Sequence, residues 1–352
     1  MNIVESTRSF EAWLRRHISI VTRDLKVKHE AMKESPFVFL RATFYRWAQL
    51  WAEVCPKPAS APTILAIGDL HLENFGTWRD SEGRLVWGVN DFDEAYPLPY
   101  TNDLVRLAAS VFLARREGHF EITRPTICEA ILEGYASSLE RGGRPVVLAE
   151  RNIWLAAIAV KQLRNPRKFW GQLRAHDPAE PPVPASLLRR FLPPTRGKVQ
   201  FFERLAGKGS LGRKRCVAIA DAVGGHVARE AKAIVPSAAA WVEGDRSRRI
   251  YVADAIRQAV RSPDPFLHVL DRWIVRRLAP DCVRVELDDL PRSRDEPRLL
   301  RAMGWETANV HLGGPRAPIL RDLRSRRSRW LERAAANMVD ATLADWRAWT
   351  RR

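Results

Sequence analysis

The spacing of apolar residues divides the chain into helical and extended runs. Aromatics and leucines recur at three- and four-residue steps over residues 10–26 and again over 39–54, which predicts two amphipathic helices. Pro56, Pro58 and Pro62 end the second of them. A short β-prone run follows at 63–67 and breaks into a polar segment, GDLHLENFG; a second, in LVWGVNDFDEA, ends in acids. From Asn102 the helical period returns, with Asp103 expected as the N-cap of an apolar run. Further helical patterns cover about 125–141 and 148–163.

Six prolines between His176 and Lys198 interrupt this regularity and predict a boundary, with a second unit starting near Val199. Its apolar runs are shorter and β-like, at 215–222, 226–230, 273–278 and 283–287. From about Pro297 the chain turns helical and Arg-rich, with a long pattern over 320–349. A length of 352 residues suits about two domains or lobes.

Composition narrows the classes without choosing one. The stretches lacking charge, such as 58–68 and 233–242, fall short of the ~20 apolar residues that a membrane span needs. The first residues carry Glu5 and no continuous apolar region, unlike a secretory signal, so a cytoplasmic protein with no membrane partner is expected. Cys55, Cys128, Cys216 and Cys282 stand far apart with no C-x-x-C pair, which argues against a disulfide framework or a zinc ribbon. A formal charge of +17 attracts anions, and nucleic acid is admitted as a partner on that ground alone; no groove-reading motif accompanies it.

The chemistry concentrates between residues 68 and 94. Asp69 and Asn74 lie five apart on one polar loop, and Asp91 and Asp93 lie at the end of the next strand. Phosphoryl transfer needs a carboxylate to orient the attacking hydroxyl and oxygen ligands for Mg²⁺ on the nucleotide phosphates, and this set can supply both. The loop resembles the H-G-D-x-H-x-x-N loop of the aminoglycoside and choline phosphotransferases, small-molecule members of the protein-kinase-like superfamily. Gly68, Asp69, His71 and Asn74 match it, Asp91-Phe92 matches the metal-binding strand end, and Asp103-Leu104 matches the following helix start. Ile67 stands where that loop has its leading His. The likeness is closer to an uncharacterised bacterial family, domain of unknown function 2252, with G-D-x-H-x-x-N-F-G, N-D-F-D-E and D-L-x-R-L-A-A-S all present.

Only 67 residues precede the loop, and they read as helical, so a kinase-like nucleotide lobe must lie elsewhere. Gly207-Lys208-Gly209-Ser210-Leu211-Gly212 is a G-x-G-x-x-G between two β-like runs, the strand–turn–strand arrangement of a kinase glycine loop rather than the strand–helix of a dinucleotide fingerprint. The phosphate-binding lysine of such a lobe is then Lys232, or its place is taken by Arg229, and the residues leave that choice open. The resemblance thus implies an α+β, protein-kinase-like, two-lobe fold that is circularly permuted. Residues 1–195 would form a helical lobe with the catalytic and metal-binding loops, 196–292 a β-rich nucleotide lobe, and 293–352 helices returning to the first.

By the same resemblance the chain would be an ATP- and Mg²⁺-dependent phosphotransferase for an unknown hydroxylated acceptor. Asp69 would position or deprotonate that hydroxyl, Asn74 and Asp91 would hold Mg²⁺, and Asp93 would be a further ligand. Gly207, Gly209, Ser210 and Gly212 would cover the phosphates of ATP or another nucleoside triphosphate, and His71 and Asp103 would brace the loop. Two other readings stand beside it: a metal-dependent nuclease or phosphodiesterase, which uses the acids and the charge but leaves the glycine loop idle, and a non-catalytic nucleotide-binding pseudokinase.

Overall fold

Asn2 opens the first helix, α1 (Ile3–Arg15), through a capping box: its side chain accepts from Val4 N and Glu5 N, and Glu5 returns to Asn2 N at 3.0 Å. The helix predicted over 10–26 does not run through. α2 (Thr22–Glu34) is a separate helix, and the link between them is turned outward where Val21 N donates to Gly212 O, 3.0 Å away and nearly two hundred residues later. A tertiary hydrogen bond here overrides helical periodicity. The helix predicted over 39–54 is likewise two, α3 (Pro36–Ala42) and α4 (Phe44–Val54), broken at Thr43, whose hydroxyl donates back to Phe39 O at 2.7 Å. The short α5 (Pro56–Ala59) follows.

The structure, a computed structural model, describes residues 1–148, 152–161, 165–178, 184–195, 197–282 and 295–352; the β-like run at 283–287 lies outside them. It is a mixed α and β protein with small antiparallel sheets. β1 (Thr63–Ala66) pairs with β4 (Tyr96–Pro99), and between them β2 (Phe75–Arg79) and β3 (Leu85–Val89) form a hairpin extended by β5 (Val146–Val147). α6 (Thr101–Arg116) is buried on every side from Thr101 to Ala114, the mark of a central helix, and α7 (Arg124–Arg141) packs beside it.

After α8 (Ile153–Lys161), α9 (Pro166–Arg174) and α10 (Ala185–Phe191) comes a five-stranded antiparallel sheet. Its strands are β6 (Gln200–Glu203), β7 (Arg215–Ala222), β8 (Gly225–Ala233), β9 (His268–Leu270) and β10 (Trp273–Leu278), in the order β6-β7-β8-β10-β9. Phe169 and Leu173 of α9 cover one face, against Val217 and Ile219, while Leu188 of α10 covers the other, against Ala218 and Ala231. α11 (Ala238–Glu243) and α12 (Val252–Gln258) lie between β8 and β9.

The C-terminal helices α13 (Glu296–His311), α14 (Arg316–Ser325) and α15 (Trp330–Thr350) share the large helical core with α1, α4, α6 and α7, not the sheet's two small cores. The single helix expected over 320–349 is interrupted at Arg326, in extended conformation, where its guanidinium turns back to Asp322 Oδ2 at 2.7 Å. α13 crosses α7 at a distance only glycine permits: a Cβ on Gly304 would stand 2.1 Å from Ile131 O.

Candidate functional site

β1 delivers the chain to Gly68, whose φ of +82° turns the backbone where a side chain could not follow, because a Cβ would stand 2.3 Å from Glu94 O. Asp103 fixes this turn. It is not the N-cap of α6, a place taken by Tyr100; it sits inside the first turn, with its carboxylate committed to another segment. Oδ2 accepts from Ile67 N at 2.7 Å and Oδ1 from Gly68 N at 2.9 Å, so orphan donors of the loop, not of the helix, claim it. His311 at the end of α13 stands 2.9 Å from Asp103 Oδ2 through Nε2, and Tyr135 O–H lies 2.8 Å from its other ring nitrogen, all fully buried.

Asp69 follows the turn. Its Oδ1 accepts from both Nε and Nη2 of Arg106, a guanidinium fully buried on α6 between the rings of Phe44 and Trp47. Burial pushes the Asp69 carboxyl upward, against the pull of that guanidinium. Its Oδ2 faces the glycine turn: a Cβ on Gly209 would lie 3.6 Å from it. Asn74 donates its amide to Asp69 O and lines the same cavity. His71 begins the 3₁₀ turn at Leu72–Asn74 by accepting from Glu73 N at 3.2 Å, and its ring meets Phe37 edge-on.

β3 carries the acids to the same place. Lys232, on the third strand of the five-stranded sheet, reaches Asp93 Oδ1 at 2.6 Å and Asp91 Oδ1 at 3.4 Å. Arg213, in the glycine segment, holds Glu94 at 2.9 Å and Asp93 at 3.4 Å, while Glu94 accepts from Ala238 N at the start of α11 at 2.6 Å. Arg229 does not join them. Three positions along a strand lead to the opposite face, and Arg229 stacks on Phe266, beside Arg277. Asp69, His71, Asn74, Asp91, Asp93, Gly207, Gly209 and Ser210 line one cavity of about 50 Å³, together with Lys28, Arg41 and Arg213. Gly212, the last of the predicted phosphate-covering residues, is not among the residues that line it; a Cβ there would meet Leu25 at 2.8 Å and Ile20 at 3.4 Å.

A second cavity, of about 180 Å³, lies under the sheet next to Asn90 and is lined by Arg204, Arg215, Arg261, Arg276, Leu278 and Cys282. Fully buried Glu230 anchors three of these arginines, with Arg276 and Arg215 at 2.8 and 3.1 Å and Arg204 closer. Three guanidinium groups around one carboxylate hold it well below the usual carboxylate range and leave the cavity wall cationic.

The donor set at the acids is one amide oxygen and two carboxylates, which suits a hard, oxygen-preferring divalent cation that keeps water and phosphate as its other ligands. Burial and Asp91 together push the Asp93 carboxyl upward, and Lys232 supplies the positive charge that this pair demands. Among the described residues no three His, Cys, Asp or Glu side chains gather as an all-protein metal site.

The loops from Asp69 to Asp103 thus meet the glycine turn and Lys232 in a single site, and the first part of this arrangement falls within a stretch that is similar to a bacterial family. Residues 20–168 match the model of a family described as an uncharacterized protein conserved in bacteria (DUF2252). That match covers the GDLHLENFG loop, the NDFDE strand end and the α6 motif with Arg106, but not the five-stranded sheet or His311. No curated protein and no solved structure matches the chain. No helix among the described residues is long and apolar enough to cross a membrane.

Proposed function

We propose that this protein is an ATP- and Mg²⁺-dependent phosphotransferase of protein-kinase-like, circularly permuted fold, acting on a hydroxylated acceptor. One observation carries the reading: segments about 140 residues apart, Asp69, His71 and Asn74 of one loop and Gly207, Gly209 and Ser210 of the glycine turn, line one cavity with the acids that Lys232 bridges. A glycine turn between the first two strands of an antiparallel sheet, and a lysine on the third, is the arrangement by which kinases hold nucleotide phosphates. In this reading the cationic cavity beneath the sheet would receive the nucleotide, and Lys232 and the glycine turn its phosphates.

Asp69 Oδ2, the oxygen not bound by Arg106, accepts the acceptor's proton, and Arg106 keeps the carboxylate oriented. Asn74 and Asp91, with Asp93, would hold Mg²⁺, which would supply positive charge to offset that of the phosphates. The fixed Gly68 turn keeps Asp69 aimed, a positioning effect that phosphoryl transfer relies on more than on covalent chemistry. A nuclease reading has less support, since it leaves without a role the glycine turn whose Gly207, Gly209 and Ser210 line the same cavity as the acids.

Calorimetric titration of ATP with and without Mg²⁺, on folded Asp91→Asn and Asp69→Asn variants, tests the roles. Asp91→Asn should abolish the Mg²⁺-dependent tightening of ATP. Asp69→Asn should keep it and lower turnover by about 10²-fold or more. Equal loss in both variants would make Asp69 a metal ligand, and Mg²⁺-independent or absent ATP binding in the wild type would defeat the reading. ATP bound without any turnover would point to a nucleotide-binding pseudokinase, for which the tie between Asp69 and Arg106 is the favouring observation.

A further inference from the structure

Lys28 is a buried ammonium outside the catalytic and metal-binding set. It lies on α2, is 6% exposed, and has no carboxylate within 4 Å among the described residues; its polar contact is Gly209 O at 3.4 Å, and the Tyr45 ring lies 5.6 Å away. A buried charge without a close counter-ion is costly, and such groups persist where a ligand supplies the missing charge. The groups that act on it come from every side: Glu11 of α1, Tyr45 of α4, Asp69 of the loop, Glu94, and Arg213 of the glycine segment. Beside it, Arg41 of α3 gives Nη1 to Glu73, while its Nε is buried with no hydrogen-bond partner. Both side chains line the cavity that holds Asp69.

We propose that Lys28 and Arg41 form a phosphate site on the acceptor side of Asp69, which receives the γ-phosphoryl group as it is transferred. The inference rests on the phosphotransferase reading and adds a part outside the glycine-loop and Asp/Asn sets. The position follows from Gly209: its carbonyl meets Lys28, while its Cα faces Asp69 Oδ2 and Arg41 O, so the turn that covers the phosphates also touches both new donors' neighbourhood. Lys232 and Arg213 are held by Asp91, Asp93 and Glu94, whereas Lys28 and Arg41 line the cavity with donors to spare. In the transfer, the bond from γ-phosphorus to the ADP oxygen breaks and its electron pair leaves with ADP. The acceptor oxygen bonds to phosphorus, and its proton passes to Asp69 Oδ2. Lys28 and Arg41 balance charge on the moving group throughout.

Calorimetric titration with ATP·Mg²⁺, ADP·Mg²⁺ and orthophosphate, on the wild type, Lys28→Met and Lys28→Arg, tests this. The wild type should prefer ATP to ADP. Lys28→Met should lose that preference by about tenfold or more, with ADP affinity unchanged, and Lys28→Arg should retain most of it. Burial lowers the Lys28 ammonium to about 8, so the wild-type preference should fade as pH rises through that value while the Lys28→Arg preference persists. An ATP-to-ADP ratio unchanged in Lys28→Met overturns the inference and leaves the phosphotransferase reading standing. If the wild type binds neither nucleotide, that reading fails, and orthophosphate decides the rest: binding lost in Lys28→Met keeps the anion site, and no binding by the wild type overturns it too. Orthophosphate bound beside ADP but not competing with ATP would place the anion on the acceptor and overturn the γ-phosphoryl assignment.

Discussion

Replacing Gly68 with Ala tests whether the turn before Asp69 is set by local conformation or by close approach of two chain segments. Two costs combine. An L-residue at φ +82° is strained by about 1–2 kcal/mol. The added Cβ would also stand 2.3 Å from Glu94 O, about 1 Å inside contact, and neither wall yields easily: Gly68 N is bound to Asp103 and Glu94 O accepts from Ser237 Oγ at 3.1 Å. Overpacking against pinned backbone costs about 1–3 kcal/mol more, giving about 2–5 kcal/mol in all. Gly224 is the internal control, since it has the same φ of +82° in the β7–β8 hairpin but nothing within 4 Å of where an added methyl would stand. Gly224→Ala should therefore lose only the conformational part. Urea unfolding of both variants measures the difference, and at roughly 2 °C per kcal/mol for a chain of this size it should also separate their melting temperatures. If Gly68→Ala is no less stable than Gly224→Ala, the Glu94 segment moves freely and the turn does not pin Asp69.

Asp103→Asn places an amide where the carboxylate accepts from Ile67 N, Gly68 N and His311, so it should cost about 3 kcal/mol by urea unfolding and lower affinity for Mg²⁺·ATP; a loss under about 1 kcal/mol would contradict the bracing role. Glu306, buried behind Val89 and Gly88, is pushed up to about 7 by burial, with Arg261 opposing. Its folded value lies above the ordinary 4.5, so its stabilising share is complete below about pH 4.5 and is lost as pH rises through about 7. Glu306→Gln should therefore gain up to about 3 kcal/mol relative to the wild type between about pH 5 and pH 8, and a stability difference that does not change with pH would show that Glu306 does not titrate there.

Strands whose alternation is reinforced by neighbours on both sides were the most legible part of the fold. The runs at 215–222 and 273–278 coincide with β7 and β10, because β-branched and small apolar residues there fill both covered faces of a sheet. β8 extends past its predicted end at 230 to Ala233, since its last residues pair with β10 and β7 whatever their own propensity. Helix ends were less legible. The breaks at 16–21 and 326–329 carry neither Gly nor Pro; they coincide with the contacts of Val21 on Gly212 and of Arg326 on Tyr100, which helical periodicity does not encode.

The site divides along the same line. Asp69, Asn74, Asp91 and Asp93 could be read because they crowd into 25 residues at strand ends, where acids are conspicuous. Their partners could not. Arg106 lies in a helix buried on every side, and an arginine within such an apolar run is itself a signal that a buried anion must face it, though not which one. Glu306, Thr307, Asn309 and His311 are likewise polar residues buried on α13. Lys28 offered no such signal: in KVKHEAMKE it is one charge among many on a polar helix, and only the fold shows that this one is covered. Its burial depends on the glycine turn folding down from far along the chain, and so does the tether from Val21 to Gly212. Residues that act through the fold's closure have ordinary neighbours in sequence, so the wall of this cavity that α2 and α3 build with Lys28 and Arg41 had to be found from the structure.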